Sequence, residues 1–451
     1  MEKRGSFTGK IGFVLAAAGS AVGLGNIWRF PYLAAQYGGG IFLLVYLVLA
    51  VTFGFTLMCA EIGLGRKTGL SAIKAFGKLS EKWSFLGYLE SVVPIIITPY
   101  YCVIGGWVIK YFAIFLSGKV SAAAGDGFFD GFIAKPVEPV LWFALFLGAT
   151  ALVVLFGVEK GIEKVSKIMM PILVVLSIII AVYAALMPGA SAGLAYYLKP
   201  DFSRFSPKTV LAALGQLFYS MSLAMGIMVT YGSYMKKDVN LESSVRQIEI
   251  FDTAIAFIAG LMIIPAVFVF SGGDESALGK GPGLMFVTLP KVFESMRGGA
   301  VIGTLFFLLV LFAALTSAIS LLESVVSIYC DKYGISRKKA CLIAVLISVV
   351  LGVPSSLGNG IWSNIKIIGM DFLTFFDFIS NSVLMPIVAI FICIFVGYVI
   401  KPKAIIDEAE ECGEKYHAKG LFTVVIKYFA PICILLILIS SILEATGKLK
   451  F

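Results

Sequence analysis

Histidine is almost absent from this sequence, since His417 is the only one in 451 residues. The seven cysteines form no CxxC pair and no group with metal-ligand spacing. These two shortages nearly exclude a histidine-based catalytic centre and a zinc site of ordinary composition. No nucleophile, base and orienting residue stand in a recognisable pattern either, so we do not expect an enzyme.

Charged residues are scarce as well. They make up 14% of the chain, whereas 59% is hydrophobic, and the mean hydropathy is +0.97. This composition excludes a soluble enzyme and indicates a membrane protein, with about eleven apolar stretches near or above the roughly 18 to 20 residues that cross a bilayer. Short connections join the stretches, so residues 1–451 are predicted to form one all-α polytopic domain. The predicted spans are 11–36, 40–64, 85–117, 139–157, 166–187, 208–235, 248–272, 299–329, 340–357, 371–400 and 422–444.

Acidic residues are outnumbered by basic ones, and the net charge is +9. The basic residues form no single patch but recur in alternate loops, so a nucleic acid partner is not expected. By the positive-inside rule these loops and the N-terminus are cytoplasmic, and the C-terminal tail lies outside a plasma (inner) membrane. The first apolar stretch lacks a small-residue cleavage site, so no cleavable signal peptide is expected. Nothing in the sequence indicates an oligomeric state.

Glycines interrupt the first predicted span. Gly19, Gly23 and Gly25 fall within seven residues, and each costs roughly 1 kcal/mol relative to alanine in a helix. A break in the helix is therefore predicted, and backbone freed at membrane depth must line a polar cavity. Asn26 and Arg29 follow directly, and a charge there is too costly to face lipid. Together these features favour a ligand site over the alternative, a close helix contact made by small residues.

Polar side chains in three further spans are the next signals. Glu61 lies in the second span, and we expect the broken backbone of the first span to supply its hydrogen-bond donors. The alternative is that Glu61 is a charged residue at the membrane interface, where its carboxylate reaches water. Tyr101 in the third span either covers a ligand or anchors the helix at the interface. In the eighth span Ala313, Thr316 and Ser317 share one helix face, which suits either a hard cation or contacts between helices.

Three motifs together resemble the neurotransmitter:sodium symporter family: GSAVGLGNIWRFP at 19–31, GQLFYSMSL at 215–223 and FAALTSAIS at 312–320. The likeness extends from Arg4 to about Ser440. It implies a bacterial LeuT-like fold of eleven helices, with two inverted five-helix repeats in which helices 1 and 6 are discontinuous. The two repeats and the additional C-terminal helix would occupy about 10–187, 208–400 and 422–444. The implied function is sodium-coupled uptake of an amino acid by alternating access.

The resemblance also implies two sodium sites built from oxygen atoms. The first would combine the substrate carboxylate with oxygens of Ala21, Asn26, Ser220 and Asp252. The second would combine oxygens of Gly19, Val22, Ala313, Thr316 and Ser317. Because Asp252 supplies a negative charge of its own and Ala256 cannot ligate an anion, no chloride is expected.

The implied substrate pocket is lined by Ser20, Ala21, Leu24, Gly25, Ile97, Tyr101, Tyr219, Ser220, Ser222, Met225, Ser317 and Leu321. Within it, Tyr101 would hydrogen-bond the substrate carboxylate, and Tyr219 would close over the ligand. Gly23 stands where monoamine transporters have an acidic residue, so the substrate should bring its own carboxylate. The apolar and aromatic lining predicts large hydrophobic L-amino acids, including aromatic ones.

Two ion pairs would act as gates in this family. Arg29 with Asp371 would form the outer gate, and Arg4 with Asp331 the inner gate. A proton-coupled or exchange transporter of the same fold is the alternative function, and an ion channel is the alternative from a different class. Thr316 and Ser317 argue against the first alternative, and polar residues that converge at mid-membrane breaks argue against a continuous pore.

Overall fold

A computed structural model describes residues 5–273 and 283–445, so Arg4 of the predicted inner gate lies outside the described residues. Within these ranges, nine helices are long and apolar enough to cross a membrane, and one bent pair gives a tenth candidate span. The helices that position the site are α1 (Lys10–Ala21), α2 (Gly25–Gln36), α3 (Gly40–Thr68), α4 (Ala72–Leu79), α5 (Glu81–Leu116), α6 (Glu138–Leu155), α7 (Val158–Ala185), α8 (Pro207–Ser220), α9 (Ile227–Gly232), α10 (Leu241–Ser271), α11 (Gly299–Tyr333), α12 (Arg337–Leu357), α13 (Phe372–Val399), α14 (Lys403–Glu410) and α15 (Lys419–Leu443). Shorter helices in the connections are Val120–Ala124, Phe128–Ile133, Ala190–Leu198 and Leu289–Ser295.

The first predicted span is broken, as its glycines indicate. α1 and α2 meet at an angle of 54°, with Val22, Gly23 and Leu24 between them. Val22 leaves the helix in an extended conformation, with φ −74° and ψ 93°. We call residues 22–24 the first break.

The sixth predicted span is broken as well, between α8 and α9. Within residues 221–226, which we call the second break, Ser222, Ala224 and Gly226 have φ of 54°, 57° and 68°. This left-handed region is open to glycine but strained for residues with a Cβ atom. Two non-glycine residues can remain in it only if their surroundings hold the backbone in place.

Two buried carboxyl groups contribute to holding the second break. The backbone N–H of Ala224 donates to Glu61 of α3 at 2.7 Å, and that of Gly226 donates to Glu90 of α5 at 3.1 Å. The prediction that Glu61 is served by the first broken span is therefore wrong, because its donor comes from the second break. An unpaired buried N–H is costly, so these carboxyl groups stabilise the break.

The two breaks lie side by side in the centre of the molecule. The Ser222 hydroxyl donates to the Ser20 carbonyl at 3.1 Å, and the Gln216 amide donates to the Gly25 carbonyl at 2.9 Å. Around them α11 packs on α5, and α7 packs on α10. The helices thus bring both interrupted backbones to one interior region.

A buried charge cluster connects α14 to α3. Arg66 at the end of α3 pairs with Glu408 of α14 at 2.9 Å, and both side chains are at most 2% exposed. The same guanidinium donates to the Val239 carbonyl at 2.7 Å, while the half-exposed Lys237 reaches Glu408 at 2.6 Å. This cluster holds α14 against the loop between α9 and α10.

Replacing Arg66 by Met is expected to destabilise the protein by about 3–5 kcal/mol, because the buried carboxylate of Glu408 would lose its buried partner and keep only Lys237. The matched variant Lys237→Met should cost less than about 1 kcal/mol, since Lys237 is half exposed. Thermal unfolding of the purified proteins in detergent measures both. Equal losses in the two variants would contradict the importance given to the buried pair.

Candidate functional site

A cavity lies where the two breaks meet. About 380 Å³ there, including space open to the solvent, is not filled by protein atoms. All twelve residues predicted for the substrate pocket line it, and Gly23, Asn26 and Ile227 complete the lining. The wall consists of both breaks and the helix ends that flank them, together with α5 and α11.

Two tyrosines border the cavity. The Tyr219 ring lies so close to Gly25 that a Cβ atom on that glycine would be 2.8 Å from the ring. The Arg29 guanidinium stands 5.1 Å from the centre of the same ring, a distance at which cation and aromatic face attract each other. The Tyr101 hydroxyl lies 3.4 Å from the Leu24 N–H, inside the first break. A ligand carboxylate in the cavity would therefore meet the Tyr101 hydroxyl beside the backbone of the first break.

A cluster of side chains with oxygen atoms lies beside the cavity, around Asp252 of α10. The Asp252 carboxylate accepts from the Ser220 hydroxyl and from the Asn26 amide, both at 2.7 Å. The Tyr46 hydroxyl donates to the other carboxylate oxygen at 3.2 Å. All four side chains are buried. Three of the side chains predicted for the first sodium site thus lie within hydrogen-bond distance of one another, and Ala21 lines the adjoining cavity.

This cluster fits a hard cation in its chemistry. Carboxylate, hydroxyl and amide oxygens are the ligands that hard cations prefer, and the buried charge of Asp252 favours a positive ion. The Asn26 amide oxygen accepts from the Gly23 N–H at 3.0 Å, while its nitrogen faces Asp252. Ligation through the Asn26 oxygen would require this amide to rotate.

A second group of oxygens surrounds the Ser317 hydroxyl of α11. The carbonyl oxygens of Ser20, Gly19 and Val22 lie 3.0, 3.3 and 3.4 Å from it. One hydroxyl hydrogen can serve only one of these acceptors fully. The surplus of carbonyl oxygens beside the first break therefore suits a cation, as predicted for Gly19 and Val22.

Thr316 completes this second group from the neighbouring helix position. Its hydroxyl lies 3.1 Å from the Ala313 carbonyl, and its side chain packs against α1, where a Cβ atom on Gly19 would be 3.2 Å from the Thr316 Cβ. The five residues predicted for the second sodium site thus meet where α1 crosses α11. Their binding of sodium stays a prediction.

The predicted outer gate is not formed as expected. Both carboxylate oxygens of Asp371 accept from Thr374, so Asp371 caps the first turn of α13. Arg29 interacts electrostatically with a different carboxylate, that of Asp377, six residues further along. Asp377 also accepts from Asn381 at 2.7 Å. The predicted pair of Arg29 with Asp371 is thus not formed in this structure, where Asp377 takes the place that was predicted for Asp371.

At the opposite end, Asp331 of the predicted inner gate contacts Ser71 just before α4. It accepts from the Ser71 backbone N–H at 2.7 Å and from the Ser71 hydroxyl at 2.6 Å. Since Arg4 lies outside the described residues, the pair stays a prediction.

Tyr46, Gln216 and Asp377 belong to the site but were not among the predicted site residues. Tyr46 lies in the apolar run of the second span. Its sequence position indicated a site residue only through the general rule that a buried tyrosine needs a hydrogen-bond partner for its hydroxyl group. Gln216 lies in a motif of the sequence, yet only the structure shows that it binds the Gly25 carbonyl. Its Oε1 atom is buried without a partner among the described residues.

Replacing Asp377 by Asn is expected to lower the transport rate at least tenfold, because Arg29 loses the negative charge that it faces beside Tyr219. Replacing Asp371 by Asn should leave transport within twofold of the unmodified protein and cost less than about 0.5 kcal/mol of stability, because asparagine caps a helix about as well as aspartate. Uptake by reconstituted protein and thermal unfolding separate the two effects. The reverse ranking of the two variants would restore Asp371 as the gate.

Two broken helices that frame one central cavity, with two oxygen clusters next to it, define a membrane transporter of the discontinuous-helix class. The profile described as "Sodium:neurotransmitter symporter family" matches residues 4–125 and 133–450. The chain is 34% identical to "Uncharacterized sodium-dependent transporter YhdH" of Bacillus subtilis (strain 168), over 98% of both chains. It is 26% identical to the human "Sodium- and chloride-dependent GABA transporter 2", over 91% of this chain and 75% of that one.

A solved structure extends the comparison to the fold. The crystal structure of MhsT in complex with L-phenylalanine matches with a TM-score of 0.87 and 40% sequence identity, covering 97% of this chain and all of that one. The chain belongs to the sodium:neurotransmitter symporter family. It is a multi-pass, sodium-dependent membrane transporter with the LeuT-like fold, and not an enzyme, as predicted.

Proposed function

We propose that this protein takes up large hydrophobic L-amino acids, including aromatic ones, together with two sodium ions and without chloride. The observation that carries the proposal is the position of the twelve predicted pocket residues around one cavity, which members of both oxygen clusters also line. In this arrangement a ligand and two cations can occupy neighbouring positions. The alternating-access cycle would then move them together.

The first sodium ion would be coupled to the substrate through a shared oxygen. The substrate carboxylate would face the first break and complete the coordination offered by Asn26, Ser220 and Asp252. Each ligand would then strengthen the binding of the other, a reciprocal coupling of typically 1–3 kcal/mol. The second ion would hold α1 against α11 through Thr316 and Ser317.

Two sodium ions give the transport cycle a large driving force. One elementary charge moving through 100 mV gains roughly 2.3 kcal/mol. Two ions with a neutral zwitterion would therefore sustain about three decades of substrate gradient from voltage alone, since 1.4 kcal/mol is tenfold. A single ion would sustain less than two.

Chloride independence is supported by the composition of the first oxygen cluster. Asp252 carries a negative charge in direct contact with Ser220 and Asn26. At the position four residues later, Ala256 is buried and has no group that could bind an anion. An additional anion would bring unfavourable repulsion to a site that is already charged.

The substrate class is supported by the cavity wall. Ile97, Tyr219, Met225 and Leu321 present apolar surface, and Ile227 adds more. Methionine adapts to ligands of different shape. The similarity to MhsT, whose crystal structure holds L-phenylalanine, points in the same direction.

Uptake of labelled amino acids into proteoliposomes tests the proposal. Sodium should be required, choline should not replace it, and replacing chloride by gluconate should change uptake less than twofold. In competition, phenylalanine and leucine should act at concentrations at least tenfold below those of glycine, glutamate and lysine. Uptake in choline would favour the proton-coupled alternative, and stronger competition by any of the last three would overturn the substrate class.

A further inference from the structure

Two acidic side chains outside the ion clusters converge on the second break. Glu61 of α3 and Glu90 of α5 are 1% and 0% exposed. One oxygen of each accepts a backbone N–H from the break, and the two donors, Ala224 and Gly226, are only two residues apart. The carboxyl groups are close enough to interact electrostatically.

The remaining oxygen of each carboxyl group is unsatisfied. Oε2 of Glu61 and Oε2 of Glu90 are buried and have no hydrogen-bond partner among the described residues. Neither group forms an ion pair with a described lysine, arginine or histidine. A buried carboxylate without a cation is costly, and two adjacent carboxylates cannot both be ionised without strong repulsion.

Among the described residues, the other helices bring no compensating charge to this region. α13 presents the Cys393 thiol to Glu61. Beside Gly226, α11 contributes the Ser324 hydroxyl and α4 the methyl group of Ala72, at 3.3 and 3.4 Å from where a Cβ atom on this glycine would stand. Cys393 is the one titratable group among these three, and it offers no positive charge.

We propose that Glu61 and Glu90 form a proton-binding site whose occupation holds the second break in the shape that accepts substrate. A proton on one carboxyl group supplies a donor for the unsatisfied oxygen of the other and removes one of two like charges. Both Oε1 atoms remain available to Ala224 and Gly226. The site is separate from Asp252 and from both oxygen clusters.

Loss of this proton would affect the substrate cavity through the backbone. The second break carries Ser222 and Met225, which line the cavity, and it follows directly on Tyr219 and Ser220. Two ionised carboxylates would repel each other and draw apart the two N–H groups that they hold. Substrate affinity should therefore decrease at alkaline pH, an expectation that rests on the proposed function.

Infrared spectroscopy of the purified protein without substrate tests the proton site directly. A protonated carboxyl group gives a carbonyl stretching band that shifts in D2O and disappears as the pH rises. This band should shift in Glu61→Gln and in Glu90→Gln and lose intensity in the double variant. An unchanged band in the double variant would overturn the proposal. Because no substrate is added, this outcome is independent of the proposed function.

Binding of labelled phenylalanine in sodium, measured from neutral to alkaline pH, tests the link to the cavity. Affinity of the unmodified protein should fall at least tenfold. Both glutamine variants should change less than threefold, because glutamine still accepts the backbone hydrogen bond and the one remaining carboxyl group has no like charge beside it. The surface variant Glu138→Gln should retain the tenfold fall as a matched control. If the affinity still falls tenfold in both variants, the link between the proton site and the cavity is overturned. Two separate variants are used in case one of them does not fold.

Discussion

Sodium-driven uptake is expected to fall at least 100-fold when Asp252 is replaced by Asn. The Asp252 carboxylate is buried and accepts from Asn26, Ser220 and Tyr46. Asparagine has nearly the same shape but no charge. The variant therefore removes the negative charge from the first oxygen cluster while most of the packing remains.

The size of the effect follows from the Coulomb energy. A cation about 4 Å from a unit negative charge gains about 4 kcal/mol at an effective dielectric constant of about 20, which corresponds to roughly three decades in affinity. Rearranged water and neighbouring dipoles would recover part of this energy. A loss of at least two decades in sodium affinity remains.

Glu249 provides the matched control for this prediction. It is buried on the same helix α10, one turn before Asp252, and Glu249→Gln removes the same charge. Its hydrogen-bonding oxygens do not belong to the cluster of Asn26 and Ser220, so uptake should stay within threefold. Sodium titrations of substrate binding and uptake in proteoliposomes measure both variants. Unchanged sodium dependence in Asp252→Asn would contradict the role given to this residue.

The two breaks show what local sequence can predict. Gly19, Gly23 and Gly25 weaken a helix whatever its tertiary surroundings, and the first break lies among them, at residues 22–24. The second break was harder to place, because Ser222 and Ala224 adopt left-handed conformations that their side chains disfavour. Glu61 and Glu90 contribute to holding that backbone from two other helices, and such tertiary support leaves no mark in the local sequence.

The gate shows how a resemblance can select the wrong residue. The segment 370–378 contains the pair Asp-Phe twice, at 371–372 and at 377–378. Either aspartate fits a motif match, and both precede an apolar run. Only the structure distinguishes them, because Asp371 caps its helix by accepting from Thr374 whereas Asp377 faces Arg29.

The cavity residues were accessible to prediction for a different reason. Eight of the twelve predicted pocket residues lie in the three motifs, so matching the motifs to the family places them. The other four, Ile97, Tyr101, Met225 and Leu321, were placed by their position in the wider resemblance. Tyr46 lies outside these motifs in a run of leucines and valines. Its contact with Asp252 joins residues more than 200 positions apart, and no periodicity in the sequence reports such a contact.

Replacing Gly23 by Ala is expected to reduce sodium-dependent substrate binding at least 100-fold. A Cβ atom at this position would stand 2.7 Å from the Ser317 hydroxyl oxygen and 3.1 Å from that of Tyr101. Ser317 is surrounded by carbonyl oxygens of α1 and the first break, and Tyr101 reaches the Leu24 N–H. The added methyl group must therefore disturb the second oxygen cluster, the tyrosine predicted to hold the substrate carboxylate, or both.

Gly148→Ala is the matched control. Gly148 lies within α6, and a Cβ atom there would meet nothing within 4 Å. Alanine favours a helix by about 1 kcal/mol over glycine, so this variant should bind substrate normally and be no less stable. Binding of labelled phenylalanine in sodium, together with thermal unfolding, separates a blocked site from a misfolded protein. Binding within threefold of the unmodified protein in Gly23→Ala would contradict the prediction.

A double-mutant cycle identifies which neighbour of the new methyl group matters. In a Ser317→Ala background the hydroxyl oxygen is gone, and the nearest remaining atom of residue 317 would be its Cβ at 3.5 Å, an ordinary contact. Gly23→Ala should then cost substantially less than in the unmodified protein, because the effects of contacting residues are not additive. If the cost is unchanged, the steric conflict lies with Tyr101, and Tyr101→Phe should relieve it instead. Either result connects the missing side chain at position 23 to the space that a carboxylate and a sodium ion would share.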